Sequence, residues 1–270
     1  MSRAPAEAIL AELVARANAH PEDHLLQFGS LLAAHQYLGL YHLVQRHLPE
    51  GARVLDWGPG NGHFSYFLQR AGYDASGYSL LEGAFVRWLP DPRYRFTRGD
   101  ESESTRLPFP NAAFDAVASV GVLEHVRETG GTEEGSLREI ARVLRPGGFF
   151  FCYHFPNRWS WIDWMARRVP GTHRHDHRYG RRDIDKLAAD AGLALCSIRR
   201  YGLLPRNFGS RLPHPLRFSR GTARAWDLLD AALAVPFSLF CQNYCFVARK
   251  PAEDSSGGRT DRNAIKSRMS

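Results

Sequence analysis

A chain of 270 residues, 44% of them hydrophobic, can bury one sizeable core and does not require two domains. No run reaches the ~18 apolar residues of a membrane span, which excludes a helical membrane protein from the reading. The net charge of +7 is unevenly placed, and no zinc-finger, RRM or clear helix-turn-helix pattern accompanies it, so nucleic acid is not the expected partner.

The first segment, MSRAPAEAILAELVARANAH, carries Glu7, Glu12 and Arg16 through its apolar positions. It reads as an amphipathic helix and not as a secretion signal. HQYLGLYHLV then places Tyr37 and Tyr41 at i and i+4 on one helix face. Val54 to Leu68, VLDWGPGNGHFSYFL, is the most informative stretch. Val54 and Leu55 suit a buried strand ending near Asp56, Gly58, Gly60 and Gly62 alternate, and Phe64, Phe67 and Leu68 recur at helical spacing. Glycines there allow unusual φ and close backbone approach, and the amides of the following helix point at the same place. The spacing departs from the GxGxxG of dinucleotide turns, because residue 63 is His63 and the next glycine is Gly72.

The expected elements continue in order. Strands are predicted at Arg53 to Trp57, Asp74 to Ser79, Tyr94 to Arg98, Asp115 to Val120, Gly148 to His154, Leu193 to Arg200 and Asn243 to Arg249. Helices are predicted at Gly62 to Ala71, Thr132 to Leu144 and Arg181 to Ala191, the last closed by Gly192. This alternation predicts an α/β fold with a doubly wound, mostly parallel sheet of seven strands. Ligands in such sheets sit beyond the carboxyl ends of the strands, which gathers Asp56, Ser79, Asp100, Val120 and His154 around one crevice.

Two long connections stand out, Pro156 to Gly180 and Tyr201 to Gln242, and connections of that length usually carry function or their own structure. The second holds a helical stretch, Ala223 to Leu233, whose Trp226, Leu229 and Leu233 are expected to pack on the core, with peripheral membrane contact as the alternative. Between Pro156 and Arg220 there are fourteen basic residues, all arginine but one, against five acidic. Arginine's planar fork favours carboxylate and phosphate, so an anionic acceptor and a plain solvated surface stand as equal readings. THRHDHRYG brings His173, His175, Asp176 and His177 close together, but on a loop; it is read as a substrate or lid loop, and no metal is assigned. Cys152, Cys196, Cys241 and Cys245 are scattered, as expected for core packing in a reducing, cytoplasmic setting. The stretch from 251 to 270 lacks apolar periodicity and is expected to be disordered, leaving 1–250 as a single domain.

DxGxGxG after a strand, here Asp56 to Gly62, resembles motif I of the class I S-adenosylmethionine-dependent methyltransferases. Three further blocks match that family in order: Asp100 in YRFTRGDE, LPFPNAAFDAVASVGVLEHV from Leu107 to Val126, and REIARVLRPGGFFF from Arg138 to Phe151. The resemblance implies an antiparallel last strand, S-adenosylmethionine as cofactor and methyl transfer to an oxygen or nitrogen of a small or carrier-linked acceptor. It places Asp56 and the glycines at the methionine end, Val120 and Gly121 beside it, Asp100 and Glu101 at the adenine, and Tyr37 as a lid. Where the family carries a ribose-binding acid this chain has Ser79, with Glu82 as a substitute if its loop turns inward. For a base, His154 leads because it ends a central strand, with Tyr153 on the opposite face, and His125 is second. A noncatalytic protein of the same fold is the alternative function; a nicotinamide oxidoreductase is disfavoured by the glycine spacing.

Overall fold

A computed structural model describes residues 4–169 and 175–252. In chain order the elements are α1 (Ala6–Ala19), α2 (Leu31–Ala34), α3 (Leu38–His47), β1 (Arg53–Trp57), α4 (His63–Arg70), β2 (Asp74–Ser79) and β3 (Arg95–Arg98). They continue with β4 (Phe114–Val120), α5 (Glu133–Val143), β5 (Leu144–Pro156), α6 (Trp161–Ala166) and α7 (Arg181–Asp190). The last are β6 (Ala194–Tyr201), α8 (His214–Arg217), α9 (Arg220–Ala234) and β7 (Asn243–Arg249). One sheet forms in the order β3-β2-β1-β4-β5-β7-β6. Neighbours from β3 to β5 are parallel, and β7 runs antiparallel to both β5 and β6. This is the doubly wound sheet that the alternation predicts, with the antiparallel strand that the family resemblance implies.

Period-two alternation assigns each strand residue to one of two cores. Val54, Ala116, Ala118, Phe151, Tyr153 and Val247 face α1, α3 and α4, whose Ile9, Leu13, Tyr41, Phe64 and Phe67 complete one layer. Leu55, Val117, Phe150, Cys152 and Phe246 face α5 and α7, with Leu137, Ile140, Ile184 and Leu187. The near-continuous apolar runs of β1, β4 and β5 follow from burial on both faces.

The register shifts in three pairings, β4 with β5, β6 with β7 and, beside the site, β5 with β7. Cys152 pairs with Phe246 and Phe155 with Tyr244, so Tyr153 and His154 oppose Cys245 alone in a β-bulge. His154 takes φ +67, the left-handed region. The sequence reading put Tyr153 and His154 on opposite faces; the extra residue overturns that, and the two rings lie together at 4.7 Å.

A second correction concerns α9. Leu229 is 48% exposed and Leu228 73%, while the helix buries Ala223 and Asp230. Its inward face is polar: Asp227 Oδ2 lies 2.8 Å from His35 Nδ1, Arg206 donates to Asp227 Oδ1 at 2.6 Å, and Asp230 accepts from the Leu204 amide at 2.7 Å. Cys152, Cys241 and Cys245 are buried free thiols, in keeping with core packing, whereas Cys196 is exposed on β6. His173 and the tail from 253 onward lie outside the described residues. Among the described residues no helix is long and apolar enough to cross a membrane.

Candidate active site

The glycine turn leaves β1 and enters α4. Gly58 has φ +76, and its amide donates to Tyr78 O at 2.8 Å. A Cβ there would lie 2.4 Å from Val122 Cγ2, so both the conformation and the packing demand glycine. At Gly60, φ is +54 and nothing stands within 4 Å of a would-be Cβ, so its missing side chain leaves open space. Gly62 serves differently, capping α4 with its Cα against Phe85.

Asp56 is 1% exposed at the end of β1. Its Oδ2 accepts from Ser65 Oγ of α4 at 2.6 Å, and Oδ1 has no hydrogen-bond partner. Because Ser65 spends its one proton on the carboxylate, Tyr94 OH, 2.6 Å from Ser65 Oγ, donates to it. Burial pushes the Asp56 carboxyl up to about 7, against the lowering pull of the Ser65 bonds. Glu124, after β4, is also buried; desolvation raises it to about 8.

A cavity of about 380 Å³ joins these groups. Its lining includes Tyr37, Asp56, Gly58, Gly60, Val120, Gly121, Glu124, His125 and His154, and no lysine or arginine among the described residues. In a chain of net charge +7, a cavity with two buried carboxylates and no cationic side chain suits a cationic ligand.

His154 reaches this cavity because of the bulge. Its backbone N–H donates to Tyr201 OH at 2.9 Å, and the same hydroxyl lies 3.0 Å from Nδ1. Asn243 Nδ2 stands 3.4 Å from Nδ1, and Nε2 is shielded without a hydrogen-bond partner. Burial pushes the imidazole down to about 3, with the His63 and His175 rings adding to the effect, so His154 is neutral at physiological pH. Tyr37 packs edge-on against it at 5.2 Å and at 4.5 Å from His63.

Of the residues expected from sequence, Asp56, Gly58, Gly60, Val120, Tyr37, His125 and His154 meet in this cavity. Tyr41 instead stacks on Phe67 at 3.9 Å in the core. Gly62, Ser79, Asp100 and Glu101 fall outside the lining. Ser79 Oγ accepts from the Leu81 amide, and Asp100 accepts from the amide and hydroxyl of Ser102. Glu82 does not turn inward; it faces solvent 3.4 Å from Arg98. The sequence reading missed His63, Gln36 and Asn243 as lining residues, although His63 follows Gly62 and Gln36 precedes Tyr37 in stretches it singled out. It left Glu124 without a role, although its place beside His125 in LEHV was visible.

A family model described as a methyltransferase domain matches residues 30–198. The chain belongs to the methyltransferase-domain family. Its sheet order is that of the class I S-adenosylmethionine-dependent methyltransferase fold. The methyltransferase is 28% identical over 165 residues to a ubiquinone biosynthesis O-methyltransferase from Bordetella avium, covering 56% of this chain and 65% of that protein. It is 35% identical over 104 residues to a demethylmenaquinone methyltransferase from Tropheryma whipplei, covering 36% and 39%. The chain thus spans between about a third and two thirds of the length of the first curated relatives it matches. A 1,6-didemethyltoxoflavin-N1-methyltransferase from Burkholderia thailandensis, solved with S-adenosylhomocysteine, shares the fold at TM-score 0.52 and 19% identity, over 93% of this chain and 92% of that one. The methyltransferase's own residues fit the cofactor: the Asp56 oxygen without a partner, the open backbone at Gly60 and a lining without competing cations suit its ammonium and sulfonium groups.

Proposed function

We propose that the chain transfers a methyl group to an oxygen or nitrogen of a small-molecule or carrier-linked acceptor that carries an anionic group. The observation that carries this reading is the juxtaposition, in one cavity, of a buried carboxylate beside an open glycine turn and of the shielded His154 Nε2. Asp56 would hold the cofactor's ammonium, with Gly58 and Gly60 giving the methionine end room. When bound, the cofactor supplies an activated methyl whose bond to sulfur breaks as the acceptor's lone pair forms the new bond. With Nδ1 facing the Tyr201 hydroxyl and the Asn243 amide, His154 would orient the acceptor atom through its Nε2–H, while Tyr37 excludes water from above. Ser79, Asp100 and Glu101 would serve the ribose and adenine along the β2 and β3 ends, outside the cavity. A neighbouring cavity of about 510 Å³ shares Gln36, Asn207, Gln242 and Asn243 with the first and is lined by Arg199 and Arg200. An anionic group on the acceptor would reach those arginines. The curated relatives named for ubiquinone and menaquinone pathways support a small organic acceptor.

Incubation with methyl-labelled cofactor and a fractionated metabolite extract tests this reading. Label is expected in an organic-acid fraction or in a group released from a carrier; label confined to nucleic acid or to protein side chains would overturn it. The ribose site gives a second check. Ser79→Asp would add a charge-assisted acceptor worth about 1 kcal/mol more than a hydroxyl, tightening cofactor binding roughly fivefold in calorimetry. A large loss would show that Ser79 does not stand at the ribose.

A further inference from the structure

The chain after α6 returns His175 to the turn that follows β4. There Glu124, His125 and His175 each offer one donor atom, and the three atoms lie within 4.8 Å of one another. Glu124 is 4% exposed, and its Oε2 has no hydrogen-bond partner among the described residues. Each imidazole has a carboxylate near Nδ1, hydrogen-bonded at His125 and only close by at His175. Glu128 Oε1 lies 2.6 Å from His125, and Oδ2 of the buried Asp163 lies 3.4 Å from His175. A carboxylate at Nδ1 turns Nε2 toward a metal and raises its basicity. Two imidazoles and one carboxylate form the donor set of divalent transition ions that keep open positions for a substrate.

We propose that Glu124, His125 and His175 bind one divalent transition-metal cation on the wall of the cavity that also holds Asp56 and His154. Ligand atoms about 2.1 Å from a tetrahedral ion stand about 3.4 Å apart, so the widest separations, up to 4.8 Å, must contract by about 1.4 Å. The side chains of His125 and His175, 33% and 14% exposed, have room for that rotation. The role of the ion rests on the methyl-transfer reading above. In an open position it takes a hydroxyl oxygen of the acceptor and favours its deprotonated form, the proton passing to water, which narrows the acceptor to an oxygen donor. The Glu128 carboxylate orients the His125 ring, so Glu128 is a positioning residue.

Metal content and cobalt spectra test the site without any acceptor. The full chain, stripped with a chelator and titrated with Zn²⁺ or Co²⁺, is expected to bind one equivalent, with visible Co²⁺ absorption of a low-coordinate site. His175→Ala and Glu124→Gln should each weaken binding at least 100-fold, and Glu128→Gln about 10-fold through the ring it orients. His175→Cys should restore binding with a thiolate-to-cobalt band, which separates a lost ligand from a misfolded variant. Sub-stoichiometric metal, or His175→Ala binding like the parent, would overturn the site. Calorimetry of the chelated protein should show unchanged cofactor binding. Metal bound at these residues without any methyl transfer would sink the functional reading and leave the site standing. Full transfer by chelated protein to an oxygen acceptor would remove the ion from the reaction.

Discussion

Asp56→Asn is expected to weaken S-adenosylmethionine binding roughly 10- to 100-fold while making the unliganded protein more stable above neutral pH. The first effect follows from removing the charge that meets the ammonium, since a hydrogen bond to a charged group contributes about 1.5–3 kcal/mol. The second follows from the carboxyl's burial, which raises it from 3.8 to about 7 in the fold. A raised acid is accommodated when protonated, so its contribution is fully present below about pH 4 and is lost as the pH climbs through 7. At about 1.4 kcal/mol per pH unit, the loss is about 4 kcal/mol across that window. Asparagine keeps the shape and the Ser65 bond but has no proton to lose, so the fall should flatten. Cofactor affinity runs the other way in the parent: it needs the ionised form, so it should rise with pH up to about 7 and then level off. Thermal unfolding and calorimetry between pH 5 and 9 read both curves. Parallel curves for parent and variant would refute the role given to Asp56.

His154→Ala should lower turnover about 10²-fold, through loss of the hydrogen bond that positions the acceptor. Cofactor affinity should stay within about threefold, because the ring faces the acceptor side of the cavity. His154→Asn is the companion variant, since asparagine tolerates the left-handed conformation at this bulge and still offers a polar group. It should recover part of the rate. The imidazole is already neutral above about pH 3, so turnover should show no histidine inflection between pH 5 and 8 from this residue. Near-normal turnover in His154→Ala would remove it from the reaction.

Much of the scaffold was legible because its signals are local. The spans of β1, β2 and β7 are those read from the sequence, since their apolar runs are bounded by glycine, proline or charge. Asp56 and the alternate glycines lie within seven residues of one another, so a linear pattern carries them. The face of His154 was not legible. A bulge is set by pairing with β7, whose residues lie some ninety positions away, and nothing near His154 announces it. The polar underside of α9 was hidden for a similar reason: an apolar stripe is visible in the helix, while the partners His35, Leu204 and Arg206 that bury its acids are not.

By itself, then, the sequence determined the sheet, the glycine turn and the methyl donor. The first two depend on short-range requirements of φ, periodicity and close approach, and the donor on the family resemblance that the turn and three further blocks carry. Only the tertiary structure decided which groups share the donor's cavity. It turned His154 inward, kept Glu82 in solvent, and brought His175 from a long connection onto Glu124 and His125. Those placements depend on burial and electrostatics between distant segments, and such forces act through space rather than along the chain.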